Sequence, residues 1–361
     1  MTQVDGVTKV REEMLDNESV VVLENGSLRA AISPARGAGI LDLTHMPSGE
    51  HILWRAPGGL REPGKSLPAE FDSSTSFFDY YPGGCQIILP NGGPSSRHNG
   101  VELGFHGEAC KIAWFSKIDQ TDEAATITCT TSLRRVPIDA VVCYTLPSNA
   151  SSLRIQTMIR NTSDAPVTIM WGLHPAYGEP LLGPRTRLHI RAGEIEAHPV
   201  TFAHRQNVPP GFMGRWPKGP GGLRLDYVFD GLGLTADLVY LKQTGGWYVL
   251  HNEETGLAAT LTWDAKLFPF VWLWQECRDE SGYPWFGRYH IVGVEPFTSF
   301  PSLGLTEAMK RGTALNLNAR EVIATEFRLG ATQLPSRYDL TIVGVDKNGS
   351  VNFKEGDKYG Q

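Results

Sequence analysis

ATITCTTSLRRVPIDAVVCYTLPSNASSLRIQTMIRNTSDAPVTIMWG, residues 125–172, decides the fold class. Four runs within it are β-branched, alternating, or both: Ala125 to Arg135, Ala140 to Leu146, Ser152 to Asn161 and Val167 to Gly172. Turn-forming Pro-Ser-Asn and Asn-Thr-Ser-Asp separate them, the signature of successive short strands. Working outward, the same style recurs upstream at Glu18 to Leu23, Leu28 to Ser33, Gln86 to Leu89 and Lys111 to Ile118. Asn25-Gly26 there reads as a hairpin turn. Downstream it recurs at Ala236 to Lys242, Trp247 to Asn252, Leu257 to Trp263, Phe268 to Glu276 and Tyr289 to Val294. Helical periodicity is confined to Lys9–Leu15 and Leu303–Lys310, the second with Ser302 as a cap. Many short strands and few helices predict an all-β protein, a large antiparallel β-sandwich or barrel. Helices do not alternate with strands, which argues against a doubly wound α/β fold.

The chain has 361 residues, long for one ordinary domain but within reach of a large β domain. No composition break or internal repeat divides it, so the expectation is a single domain over 1–361. A polar segment opens it, up to about residue 17, and a peripheral polar tail closes it from about residue 346. Ala56 to Pro68 and Asn207 to Gly222 are Gly/Pro-rich, and loops of that length are usually rims, lids or disordered segments. A net charge of −6 and no basic stripe argue against nucleic acid. Five scattered cysteines without a CxxC read as thiols in a reducing compartment. The N-terminus has no apolar signal core and no run of eighteen apolar residues occurs, so neither export nor a membrane span is expected. The cytoplasm is the expected compartment.

Three segments present a titratable side chain from strand-like sequence: Leu103-Gly104-Phe105-His106-Gly107, Trp171-Gly172-Leu173-His174-Pro175 and Val292-Gly293-Val294-Glu295-Pro296. Each has Gly two residues before the His or Glu, read as a strand end that lets the polar group point into a cavity. Singly, His106 and His174 read as satisfied buried imidazoles, and Glu295 as the partner of an arginine such as Arg288. Together they read as a proton-transfer site. Phe268, Phe270, Trp272 and Trp274 share one face by the two-residue period. They are core aromatics or a stacking platform for a sugar ring, with Gln275 supplying an amide; Trp216 and Trp285 are further stacking candidates. Asp226 caps a turn or binds substrate hydroxyls. Asn91, Arg97 and His98 lie in a turn-rich loop and read equally as surface or as binding residues. Phosphate loops, dinucleotide fingerprints and the G-x-S-x-G elbow are absent.

The ordered set His106-Gly107 with Trp114, His174-Pro175, Asp226 to Phe229 and Glu295-Pro296 resembles the aldose 1-epimerase (galactose mutarotase-like) superfamily. The resemblance runs from about Val20 to the last strands. It implies a galactose mutarotase-like supersandwich holding a small-molecule sugar in a broad cleft, without cofactor or metal. Glu295 resembles the catalytic base, His174 the acid that protonates the ring oxygen, and His106 a second histidine at that oxygen. Asp226 resembles the carboxylate that holds sugar hydroxyls. The family's Asn-Arg pair is replaced by Pro90-Asn91-Gly92-Gly93, leaving Asn91 in place and Arg97 as a candidate substitute for the arginine. The family's glutamine near Trp272 is matched only by the nearby Gln275. The implied reaction is interconversion of sugar anomers by acid–base ring opening and reclosure. Three alternatives remain open: a carbohydrate-binding protein without turnover, a two-His-one-carboxylate metalloenzyme, and another reaction on the same sandwich, such as a lyase or a different sugar isomerisation.

Overall fold

The computed structural model describes residues 8–56, 73–228, 234–279, 282–336, 340–346 and 348–355, and most of the Gly/Pro-rich segment 56–68 lies outside them. Among the described residues every strand pairing is antiparallel, and the strands form two large sheets. The twelve-stranded sheet starts with the consecutive strands Lys9–Leu15, Glu18–Glu24, Leu28–Ser33 and Gly39–His45, the last also pairing with Glu50–His51. It then continues through distant segments in the order Cys85–Ile88, Gly172–Tyr177, His290–Phe297, Phe270–Cys277, Thr235–Lys242, Glu194–Ala197 and Met213–Arg215. The eight-stranded sheet contains the three long strands read from the opening stretch, Ala124–Ser132, Ile138–Pro147 and Ser152–Asn161, with Val322–Gln333 beside them. Among the described residues no helix is long and apolar enough to cross a membrane.

The main core lies between the sheets. Leu43, Ile87, Leu173, Leu273 and Val294 project from the larger sheet and Ile127, Tyr144, Ile155, Leu261 and Leu329 from the smaller. Alternation sends the intervening residues of the larger sheet to its outer face. There Ile88, Ala176, Tyr240, Trp272, Ile291 and Phe297 meet a second apolar cluster with Phe77, Tyr81, Trp285, Phe300 and Leu305. The middle of this sheet is therefore buried on both faces, which accounts for near-continuous apolar runs such as Ile291 to Val294.

Lys9–Leu15, expected as a helix, is an edge strand in register with Glu18–Glu24. Asp16 and Asn17 join the two strands and both have positive φ, 48° and 68°. This is the backbone a two-residue hairpin turn needs, and Asp and Asn tolerate it. Arg11 pairs with Glu24 at 2.8 Å, so the charges that looked like a helix face lace the hairpin instead. The strand expected over Lys111 to Ile118 begins at Phe115, because Trp114 is tied back through its backbone N–H to Pro34 and its indole N–H to Ala109. The helix Ser73–Tyr80 has Ser-rich, aromatic sequence with low helix propensity and is held by packing of Phe77 into the outer cluster.

The Leu305–Lys310 helix is present, but Ser302 does not cap it. Its first N–H groups are taken by side chains from another segment: Leu305 N–H donates to Asn91 Oδ1 at 2.7 Å and Thr306 N–H to Ser96 Oγ at 2.9 Å. Asn91 Nδ2 donates to Pro94 and Gly104 carbonyls at 2.8 and 3.0 Å. Wholly buried, Asn91 pins the 91–104 loop to the helix. Asn91→Ala strands these donors and acceptors in the interior. It should destabilise the protein by about 2 kcal/mol or more, read as a lower urea midpoint at unchanged m-value.

Candidate active site

A row of side chains crosses the outer face of the larger sheet. Gln86 pairs with His174, Glu295 with Trp272, and Trp272 with Tyr240. The pairings Gly172↔Phe297 and Ala176↔Gly293 set His174 level with Glu295. Residues opposed across a ladder share a face. Histidine, carboxylate and indole therefore stand side by side on three neighbouring strands, although up to 121 positions separate the His174 and Glu295 segments in the chain. His174 Nε2 is 3.4 Å from Glu295 Oε1.

Contrary to the sequence reading, the glycines two residues ahead of these groups do not mark strand ends beside His174 and Glu295. His174 lies inside Gly172–Tyr177 and Glu295 inside His290–Phe297, with Pro175 and Pro296 also within them. What the glycines provide is room on the shared face. A Cβ at Gly293 would sit 2.3 Å from Glu295 Oε1 and 3.2 Å from the Trp274 ring. A Cβ at Gly172 would sit 2.4 Å from the Phe297 ring, which stacks on Trp272 with centroids 3.7 Å apart.

His106 arrives from a turn with φ of 54°. A reciprocal clamp holds it there: its N–H donates to the Gly93 carbonyl at 2.9 Å, and Gly93 N–H donates to its Nδ1 at 3.1 Å. With Nδ1 accepting, a neutral ring carries its proton on Nε2. The His106 and His174 rings are 5.2 Å apart.

These three groups line one cavity of about 530 Å³, its open mouth included, whose other walls are chiefly aromatic. Burial lowers the His174 pKa to about 4 and moves Glu295 well above the ordinary carboxylate range. Burial, with smaller contributions from His174 and Lys111, holds His106 well below the ordinary histidine range. Both members of the His174–Glu295 pair thus favour their neutral forms, a carboxylic acid beside an imidazole, and share a single ionisable proton. Among the described residues no arginine pairs with Glu295. Arg288, its expected partner, lies over the Phe286 and Tyr289 rings in an adjoining cavity. Among the described residues Glu295 Oε2, His174 Nδ1, Gln86 Oε1 and the Tyr81 hydroxyl are buried without a hydrogen-bond partner. The Tyr81 ring stands edge-on to His174 at 5.9 Å.

Trp272 and Trp274 line this cavity, as does Trp285. Other expected binding residues do not. Asp226 is on the far side of the sandwich, bonded to Arg187 Nε at 3.0 Å and Arg224 Nε at 2.7 Å in a separate cavity that also takes Trp216. Its Asp-x-x-Phe motif ends at Phe229, outside the described residues. Gln275 follows Trp274 and alternation turns it to the opposite face. Asn91 is spent on the helix cap, and Arg97 is exposed on the hairpin Ser96–His98. The 207–222 segment forms the sheet edge at Met213–Arg215 and contributes nothing to this cavity. Sequence reading missed Phe77, Phe78 and Tyr81, which lie on the unforeseen helix or just after it, and Phe202 and Leu238. Leu238 had a usable signal, sharing strand parity with Tyr240. Among the described residues, no group of three or more His, Cys, Asp and Glu side chains could hold a metal ion.

Two antiparallel sheets with a His/His/Glu cavity on the outer face of the larger one define a galactose mutarotase-like β-sandwich. The Slr1438 protein of Synechocystis sp. PCC 6803 is similar, with TM-score 0.63 and 18% identity over 89% of this chain and 98% of that one. So is a galactose mutarotase-like protein of Clostridium acetobutylicum, with TM-score 0.61 and 14% identity over 91% and 99%. A galactose mutarotase related enzyme of Lactobacillus acidophilus gives 0.58 and 15% over 88% and 99%. The chain belongs to the family described as Domain of unknown function (DUF4432), matched over residues 17–331. No curated protein matches the sequence.

Two outcomes follow from the packing around Glu295. Gly293→Ala should leave the fold intact but push the carboxyl from His174, lowering turnover on the order of 10²-fold with all three titratable groups retained. Glu295 binds its proton more tightly folded than unfolded, so its contribution to stability falls as pH rises through its elevated pKa. Glu295→Gln lacks that loss and should melt higher than wild type at pH 8, by the roughly 2–4 °C that about 1 kcal/mol produces, with a smaller difference at pH 4.

Proposed function

We propose that this protein interconverts the anomers of a sugar by general acid–base ring opening and reclosure. The observation that carries the reading is the buried His174–Glu295 pair, two proton carriers 3.4 Å apart holding one proton, with His106 beside them. One member accepts the anomeric hydroxyl proton while those O–H electrons form the carbonyl. The ring C–O bond breaks, its electrons go to the ring oxygen, and the other member protonates that oxygen. Rotation about one carbon–carbon bond and the reverse steps give the other anomer. His106 Nε2–H donates to an oxygen at the same edge.

The family resemblance makes Glu295 the base and His174 the acid, whereas burial places the resting proton on Glu295. These states differ by one proton transfer within the pair, and a reversible reaction uses both. The mutarotase-like neighbours support the fold side of this reading. Asp226 takes no part in it, being paired on the other side of the sandwich.

Glu295→Gln and His174→Asn should each lower anomer interconversion by roughly 10²-fold or more, followed by NMR on a panel of sugars. A folded Glu295→Gln variant as fast as wild type would sink the proposal, and a wild type that turns over no sugar of the panel would favour a binding protein. The pH–rate profile checks the pair separately. Solvated side chains would confine activity between pKa values of about 4.3 and 6.5. In the buried pair the acid limb reports a second proton entering at His174, near pH 4, and the alkaline limb reports loss of the shared proton from Glu295. The rate should stay level from about pH 5 until the raised Glu295 pKa is reached; an alkaline fall beginning at the ordinary carboxylate value of about 4.3 contradicts this charge state.

A further inference from the structure

The polar atoms of the cavity are unevenly placed. His106, Tyr81 and Glu295 surround His174, with the pair separation of 3.4 Å and ring separations of 5.2 and 5.9 Å, so they form one edge. Away from that edge the described lining is chiefly carbon, from Phe78, Phe105, Phe202, Leu238, Trp274 and Trp285, with the two indole N–H groups and Ser302 as its polar groups. Apart from Glu295, the described lining has no carboxylate, amide or guanidinium side chain to hold hydroxyls elsewhere on a sugar ring. Asn91 is consumed by a helix cap, Asp226 by two arginines, Gln275 faces away and Arg97 is exposed. A buried hydroxyl without a partner is costly, whereas a C–H or methyl group against aromatic carbon is favourable.

Resting on the mutarotase reading, we propose that the substrate is a deoxyaldose, with the carbon that lacks its oxygen set against the aromatic wall. The Tyr81 hydroxyl, buried and unpartnered, is a further donor to the substrate's oxygen-rich edge. The anomeric hydroxyl and ring oxygen engage the pair, a neighbouring hydroxyl engages His106 or Tyr81, and the deoxygenated carbon packs on the wall to which the paired Leu238 and Trp274 contribute.

The test is anomer interconversion by NMR on matched pairs that differ by one oxygen: L-rhamnose against L-mannose, and D- and L-fucose against D- and L-galactose. The deoxy member should show kcat/KM at least about tenfold higher in one pair or more, with that turnover abolished by Glu295→Gln. Phe202→Asn adds an amide at the half-exposed wall and should narrow the preference, by raising the parent sugar's kcat/KM relative to its deoxy partner. Tyr81→Phe should raise KM for the deoxy sugar more than it lowers kcat. Equal or faster Glu295-dependent turnover of the parent sugars overturns the deoxyaldose assignment while leaving mutarotation standing. Absence of Glu295-dependent turnover on every sugar overturns both.

Discussion

Burial of the larger sheet's middle strands on both faces is the constraint from which the site follows. A carboxylate on a sheet with one wet face would stay hydrated and ionised. Here Glu295 stands on a strand whose inner residues, Val292 and Val294, pack into the sandwich core. Its outer neighbours, Ile291 and Phe297, pack into a second apolar cluster. Desolvation from both sides favours the uncharged forms of Glu295 and His174, which holds the shared proton on the pair. The walls needed for that dryness come from outside the sheet: the Ser73–Tyr80 helix, the turn carrying Trp285, and the segment around Phe300.

Those walls are secured by hydrogen bonds at their bases. Asn91 and Ser96 hold the start of the Leu305–Lys310 helix. Tyr240, one strand over from Trp272, accepts from the Ser302 N–H at 2.9 Å and meets His198 Nδ1 at 2.6 Å. The Trp272 indole donates to the Ser299 carbonyl at 2.9 Å. The 298–305 segment is thus tied to the sheet at Tyr240 and at Trp272, and the stacked Trp272–Phe297 pair beneath it is fixed by both packing and hydrogen bonding.

The strand content, the antiparallel layering and the three titratable groups were legible because each depends on local pattern: period-two alternation, turn residues, and a polar residue inside an apolar run. Gly293 and Gly172 were noticed for the right spacing and the wrong reason. Their role depends on what opposes them across neighbouring strands, and register between segments 121 positions apart is not written in either one. Asp16-Asn17 held the missed signal for the first hairpin, since both residues tolerate positive φ. Tyr81 had no comparable signal. It follows a helix whose sequence disfavours helix and which is held by packing and by hydrogen bonds from Tyr283 and Arg36.

Asp226 and Glu295 illustrate how site and scaffold separate. Both are carboxylates almost wholly removed from solvent, and both belong to the motif set that suggested the superfamily. Asp226 has two guanidinium partners and a full set of hydrogen bonds, so its charge is neutralised in place and its neighbours, Arg187 and Arg224, are held by it. Glu295 has one imidazole at 3.4 Å and a second oxygen with no partner. A fully satisfied buried charge is a structural element; removing it leaves its arginines unpaired. A buried acid with an open valence beside an equally unsatisfied base has no such structural use. Its hydrogen-bonding capacity stays open toward the cavity, and that open capacity is what the proposed reaction draws on.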